Sequence, residues 1–254
     1  MPVPTTAFTR RAFVGGAIAS AMLPRGSHPQ GAPAVLLSRG PIDRPDVALT
    51  FDCGSDRGYT DDILDTLAAS GIPASFGVTG AFADAHPELV RRMVEEGHAI
   101  INHSYSHPSF TGANTSDAVL TTEARLDQLE RTEDALVAAC GRGGKPLFRP
   151  PYGDVDDSVL TDLGAAGFTH SVMWTVDVMG WAGWSLQEML DRVAANHGNG
   201  YIYLMHVGAQ SKEGPTLPAF IDLLSGQGYG YTRISDMIGL DLPAFAPVTS
   251  SPSS

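Results

Sequence analysis

Cysteine is scarce in this sequence: Cys53 and Cys140 are the only two among 254 residues. Two thiols cannot build the multi-bridge framework that holds small secreted domains together, so the fold has to rest on a hydrophobic core. Positive charge is scarce as well. Sixteen Lys and Arg face 28 Asp and Glu, a net charge of −12, and the resulting field repels phosphate backbones and anionic lipid surfaces. Nucleic acid is thereby excluded as a partner. The apolar stretch near the N-terminus, Ala12 to Leu23, falls short of the roughly 20 residues that cross a bilayer. No repeat of solenoid or propeller period is visible.

What is present is a hydrophobic fraction of 43%, punctuated throughout by 28 glycines and 18 prolines. Thr9, Arg10, Arg11, Ala12, Phe13 and Val14 resemble a twin-arginine export motif, and the small-residue run behind them completes a signal. Residues 1–40 are therefore set apart as export signal and linker, 41–242 as one domain, and the Pro- and Ser-rich residues 243–254 as a disordered tail. The expected product is a secreted or cell-wall-associated monomer with no membrane span once the signal is removed. Twin-arginine substrates fold before export in a reducing cytosol, so both thiols are expected to be free.

From residue 46 onward, short apolar runs alternate with longer amphipathic stretches. Strands are predicted over 47–51, 74–79, 99–102, 147–149, 169–175, 201–205 and 229–233. Helices are predicted over 60–69, 87–96, 116–139, 156–166, 185–196 and 217–226, with Thr60 as an N-cap and Pro87 as a first helical residue. Strict alternation implies a parallel sheet wrapped by helices, and this many units point to an irregular (β/α)7 barrel, TIM-like and single-domain.

In such a barrel reactive groups gather where the strands end. The first strand ends in Asp52 and the third at His103, with His107 four residues on. The fourth ends in Arg149, followed by Pro150, Pro151, Tyr152 and Gly153; the fifth runs on to Asp177, with Trp181 and Trp184 behind it; the sixth ends in His206. Scattered surface charges explain five such sites poorly. The i, i+4 spacing of His103 and His107 puts both imidazoles on one side of a helical turn, which suits joint ligation of one divalent metal.

These segments, in this order, resemble the motifs of the polysaccharide deacetylase family, carbohydrate esterase family 4, also called the NodB-homology domain. Thr50-Phe51-Asp52-Cys53-Gly54 looks like its first motif, Asn102 through Pro108 its second, Arg149 through Gly153 its third, Asp177 through Trp181 its fourth with a small Gly180 inside, and Leu204-Met205-His206 its fifth. The resemblance spans about residues 46–236. It implies metal-assisted hydrolysis of an acetamide on an acetylated amino-sugar glycan, peptidoglycan or chitin-like. Asp52 would be the general base, oriented by Arg149, and His206 the general acid, oriented or tuned by Asp177. The Tyr152 N–H would help to stabilise the oxyanion, Leu204 would line the acetyl pocket, and Trp181 would stack on sugar. His103 and His107 would hold one divalent metal ion, with zinc its expected identity.

One position departs from the family pattern. Cys53 stands where a second Asp usually completes the metal site. Three readings remain open: Cys53 binds zinc, Asp56 supplies the carboxylate, or two histidines and water hold the metal. Two rival functions also stand, a hydrolase of a non-sugar amide or imide and a catalytically silent carbohydrate binder.

Overall fold

A computed structural model describes residues 31–240. The twin-arginine segment and the tail predicted as disordered lie outside the described residues. Nine strands, all paired in parallel, form the sheet: β1 (Val35–Leu37), β2 (Asp46–Cys53), β3 (Ser75–Val78), β4 (Ala99–Asn102), β5 (Leu147–Phe148), β6 (His170–Val172), β7 (Val176–Asp177), β8 (Ile202–His206) and β9 (Gly230–Tyr231). Their order is β1-β6-β5-β4-β3-β2-β8-β7, with β9 beside the start of β2. β1 pairs with β6, so the sheet begins inside the span set apart in sequence as signal and linker.

The single strand expected over 169–175 is two strands with a bend between them. Met173 N–H donates to Leu37 and Thr175 N–H to Ile202, so the chain leaves one neighbour for another across the bend. β6 pairs with β5, β7 pairs with β8, and β8 pairs with β2. No ladder joins β6 to β7, so the chain itself spans the gap at the bend and the curled parallel sheet forms the irregular (β/α)7 barrel of a single domain.

Among the described residues eight α-helices accompany the strands: α1 (Thr60–Ser70), α2 (Gly80–Ala85), α3 (Pro87–Glu95), α4 (Thr122–Cys140), α5 (Asp157–Ala165), α6 (Leu186–Ala195), α7 (Glu213–Gly226) and α8 (Ile234–Met237). Four of them differ from expectation. α4 starts at Thr122, because the Thr121 hydroxyl caps it by accepting from Ala124 N–H, and residues 111–121 remain a loop. α7 starts at Glu213, before two prolines that sit in its first two turns. α2, capped by Thr79, and α8 are unpredicted. Thr60 is not the N-cap of α1; its hydroxyl donates to the Arg57 carbonyl.

The alternation of strand side chains sorts the interior. On β2, Val47, Leu49, Phe51 and Cys53 face the helices and join the main hydrophobic core. Ala48 faces the other way, into a separate cluster with Ile101, Leu147, Val172 and Ile202 that fills the floor of the barrel. At the ends of the same strands, or one residue past them, stand Asp52, His103, Arg149, Leu204 and His206. The chemistry thus stands on top of a packed apolar floor. Cys53 and Cys140 are both free and buried.

Candidate active site

Asp52 closes β2 with its carboxylate against two partners. Oδ1 accepts from Arg149 Nη1 at 2.7 Å, and Oδ2 lies 3.4 Å from His103 Nε2. β3 comes close enough to leave no room for a side chain at Gly77, where a Cβ would overlap the Asp52 carboxylate. Burial by itself raises the Asp52 pKa, but the Arg149 guanidinium, then His103 and His206, outweigh it and hold the carboxyl below its ordinary range. Asp52 is therefore ionised at neutral pH.

Arg149 is fully buried and fully engaged. Besides Asp52 it donates to the carbonyls of Val172 and Met173, on and just beyond β6. Its own carbonyl fixes the next residue of the site: His103 Nδ1 lies 2.9 Å from it. A carbonyl only accepts, so Nδ1 carries the proton and Nε2 is left bare towards Asp52. Burial also pushes the pKa of His103 down and that of His107 down to about 3, so both rings are neutral imidazoles.

The His103 and His107 rings stand 4.7 Å apart, edge to face, as the spacing predicted, but not on a helix. The segment is a loop in which Ser104 (φ 62°) and His107 (φ 61°) both adopt left-handed backbone. Ser104 Oγ accepts from His107 N–H and so closes the turn. Tyr152 (φ 59°) and Met179 (φ 71°) complete the set of non-glycine residues with positive φ among the described residues. All four fall within or beside the strand-end motifs, where backbone strain is retained because the surrounding contacts over-determine it.

Two bare imidazole nitrogens beside a carboxylate suit a divalent cation of the zinc class. Cys53 is not part of that set. It is fully buried in the core on the helix side of β2, and burial, with Asp52 and Asp56 nearby, pushes its thiol well above the ordinary range. The reason is alternation: Asp52 faces the barrel mouth, so its neighbour faces away. Asp56 does line the cavity, with Oδ2 accepting from Ala209 N–H at 2.8 Å. Among the described residues no three His, Cys, Asp or Glu side chains form a ready metal cluster.

The cavity, about 730 Å³, is lined by Asp52, His103, His107, Tyr152, Asp177, Trp181, Leu204 and His206, so it gathers all the expected site residues except Cys53 and the fully buried Arg149, which lies behind Asp52. Tyr152 and Trp181 are half-exposed at its rim. Pro150 and Pro151 have no N–H, which makes Tyr152 the first main-chain donor after Arg149; it makes no hydrogen bond among the described residues. Trp184 packs on the core and is not part of the lining.

His206 does not meet Asp177 as expected. The Asp177 oxygens accept from Trp181 Nε1 at 3.1 and 3.2 Å, and Oδ1 also accepts from Met179 N–H at 2.9 Å. The carboxylate beside His206 is that of Glu213, with Oε1 3.5 Å from Nδ1. Burial lowers the His206 pKa, but Glu213, then Asp52 and Asp177, raise it above the ordinary value. Sequence reasoning missed Glu213 because it lies seven residues beyond His206, ahead of the predicted helix, where an acid reads as surface. It also missed Asn114, which lines the cavity and donates to the Tyr152 carbonyl and to Asp154.

A family model for polysaccharide deacetylase matches residues 39–171. A chitooligosaccharide deacetylase of Sinorhizobium fredii is 36% identical over 169 residues, 66% of this chain and 75% of that one. Among solved structures, a peptidoglycan N-acetylglucosamine deacetylase superposes with a TM-score of 0.73 at 29% identity, covering 80% of this chain and 92% of its own. A family 4 pseudoenzyme from Bacillus anthracis superposes with a TM-score of 0.71 at 26% identity, covering 81% and 69%. No helix among the described residues is long and apolar enough to cross a membrane. With the barrel, the strand-end carboxylate and the histidines in the family's order, the chain belongs to the polysaccharide deacetylase family, the hydrolases of carbohydrate esterase family 4.

Proposed function

We propose that this hydrolase is exported and removes N-acetyl groups from an amino-sugar polymer, peptidoglycan or chitin-like, with the help of one divalent metal ion of the zinc class. The observation that carries the reading is Asp52, held at 2.7 Å by Arg149 and set 3.4 Å from the bare Nε2 of His103. His103 and His107 would hold the cation, and Asp56, already in the lining, is the side chain nearest in chemistry to the missing third ligand. Such an ion supplies Lewis-acid polarisation of the acyl oxygen and a more acidic water.

The remaining steps belong to the chain's own groups. Asp52, ionised and fixed, takes the proton of the attacking water. Its lowered pKa makes it a weak base, which suits a water already made acidic. The Tyr152 N–H donates to the oxyanion as it forms, and Leu204, buried in the lining, excludes water beside the acetyl methyl. His206 protonates the departing amine. Trp181 and Tyr152, flat and exposed at the rim, offer faces to pyranose C–H groups.

Acetate release from acetylated chito-oligosaccharides and from peptidoglycan fragments, measured together with metal content, tests the reading. Release from either with stoichiometric metal supports it. Metal-loaded protein that releases acetate from neither glycan but hydrolyses a simple amide or imide would shift it to the non-sugar hydrolase. Glycan binding with no turnover would make this chain, like its Bacillus anthracis relative, a pseudoenzyme.

A further inference from the structure

We propose that Glu213, on α7, is the positioning residue for His206, in place of the strand-end Asp177. The inference rests on the reading of His206 as the acid that protonates the leaving amine. Glu213 is fully buried, and neither of its carboxylate oxygens has a hydrogen-bond partner among the described residues. His206 Nδ1 is likewise buried and unpartnered, and it is the basic atom 3.5 Å from Glu213 Oε1. Among the described residues the ion-pair partner of this carboxylate is His206, while Nζ of neighbouring Lys212 donates to the Gly183 carbonyl. A carboxylate removed from water needs a cationic or donor partner, and His206 supplies it.

Gly180 makes the placement possible. A Cβ at residue 180 would overlap the Glu213 carboxylate, and the three nearest atoms it would meet are Oε2, Cδ and Oε1 of that one residue. Gly180 does not have a positive φ, so what glycine supplies there is space: a side chain at 180 would displace the Glu213 carboxylate from its present position. The small residue inside the fourth motif and the acid on α7 are thus a complementary pair. Asp177 is turned to Trp181 Nε1 and Met179 N–H.

The consequence for His206 is a defined tautomer. With Nδ1–H directed at Glu213, Nε2 is the atom that gains and loses the proton, and it is the atom free to face the cavity. When Nε2–H passes its proton to the amine nitrogen, the ring returns to the neutral Nδ1–H form and is recharged from water. Besides Glu213, the groups that act on His206 are Asp52 on β2, Asp177 on β7, the His103 and His107 rings and the Trp181 ring, 6.3 Å from it.

Three experiments on the zinc-loaded full chain test this. Nitrogen-15 chemical shifts of His206 in the wild type should report the Nδ1–H tautomer in the neutral ring; an Nε2–H tautomer would overturn the proposal whatever the substrate is. This readout needs no turnover, so it separates failure of the pairing from failure of the deacetylase reading, which shows as absent acetate release by the wild type. Glu213→Gln should then lower kcat at least tenfold, leave KM within twofold, and move the basic limb of the pH profile to lower pH. An unchanged kcat and basic limb would count against Glu213. Gly180→Asp combined with Glu213→Ala should recover part of the turnover lost in Glu213→Ala alone, by returning a carboxylate to the vacated space. A double variant no more active than Glu213→Ala would speak against the paired positions.

Discussion

The floor of the barrel and its mouth are built from the same strands. Ala48 and Asp52 share β2; Ile101 and His103 are two residues apart on one chain; Leu147 and Arg149 are likewise; Ile202 and His206 share β8. The lower set packs as an apolar cluster with nothing to titrate. The upper set buries the Asp52 carboxylate against the Arg149 guanidinium, with neutral His103 beside it. The difference teaches that register does the sorting. One pleat carries both sets, and the change from packing to chemistry comes where the strands run out and loops can bring water and substrate.

Substitutions at the two levels should separate the comparison most sharply through activity. His103→Ala or His107→Ala should abolish metal retention and cut turnover by two or more orders of magnitude while the barrel stays folded. Wild-type metal content in the double variant, by elemental analysis, would sink the assignment. Asp52→Asn should lose about 10²–10⁴-fold in kcat and the acidic limb of the profile.

Stability comes next. Arg149→Ala strands a buried carboxylate and should cost about 3–5 kcal/mol by denaturant titration, as well as activity. Ile101→Ala, on the floor, should cost about 2–5 kcal/mol through its cavity yet leave the pH profile of the folded enzyme in place. Equal shifts in both pH profiles would break the distinction between the levels.

The pH window follows from the directions of the two shifts. A base must be deprotonated and an acid protonated, so activity should span from below the ordinary carboxylate range, where Asp52 titrates, to above the ordinary histidine value of about 6.5, where His206 titrates. For stability the signs are opposed. The lowered Asp52 contributes above its unfolded pKa, and that is lost as pH falls through its folded value. The raised His206 contributes in full below about 6.5, and that is lost as pH rises through its folded value. Thermal melts across pH should show both edges, and a melting temperature flat from acid to mildly alkaline pH would contradict them.

The smallest effect concerns Cys53. It packs on the helix side of β2, so Cys53→Ser should leave zinc affinity nearly unchanged, whereas Asp56→Ala should weaken it. A large loss in Cys53→Ser by zinc titration would return the thiol to the metal site.

Much of this was legible in the sequence because it is local and periodic. Alternating apolar runs and amphipathic stretches determined the strand and helix order, and the residue at each strand end named Asp52, His103, Arg149 and His206 before any fold was known. Boundaries set by a single side chain were not legible, such as the Thr121 cap that starts α4 late. Neither was the bend that divides β6 from β7, since both halves carry the same apolar pattern and only their neighbours differ. Tertiary structure alone decided which way Cys53 faces, that a left-handed loop and not a helix brings His103 to His107, and that Glu213 meets His206 in the space left by Gly180. Those outcomes depend on contacts between segments far apart in the chain, and periodicity within a segment carries no information about them.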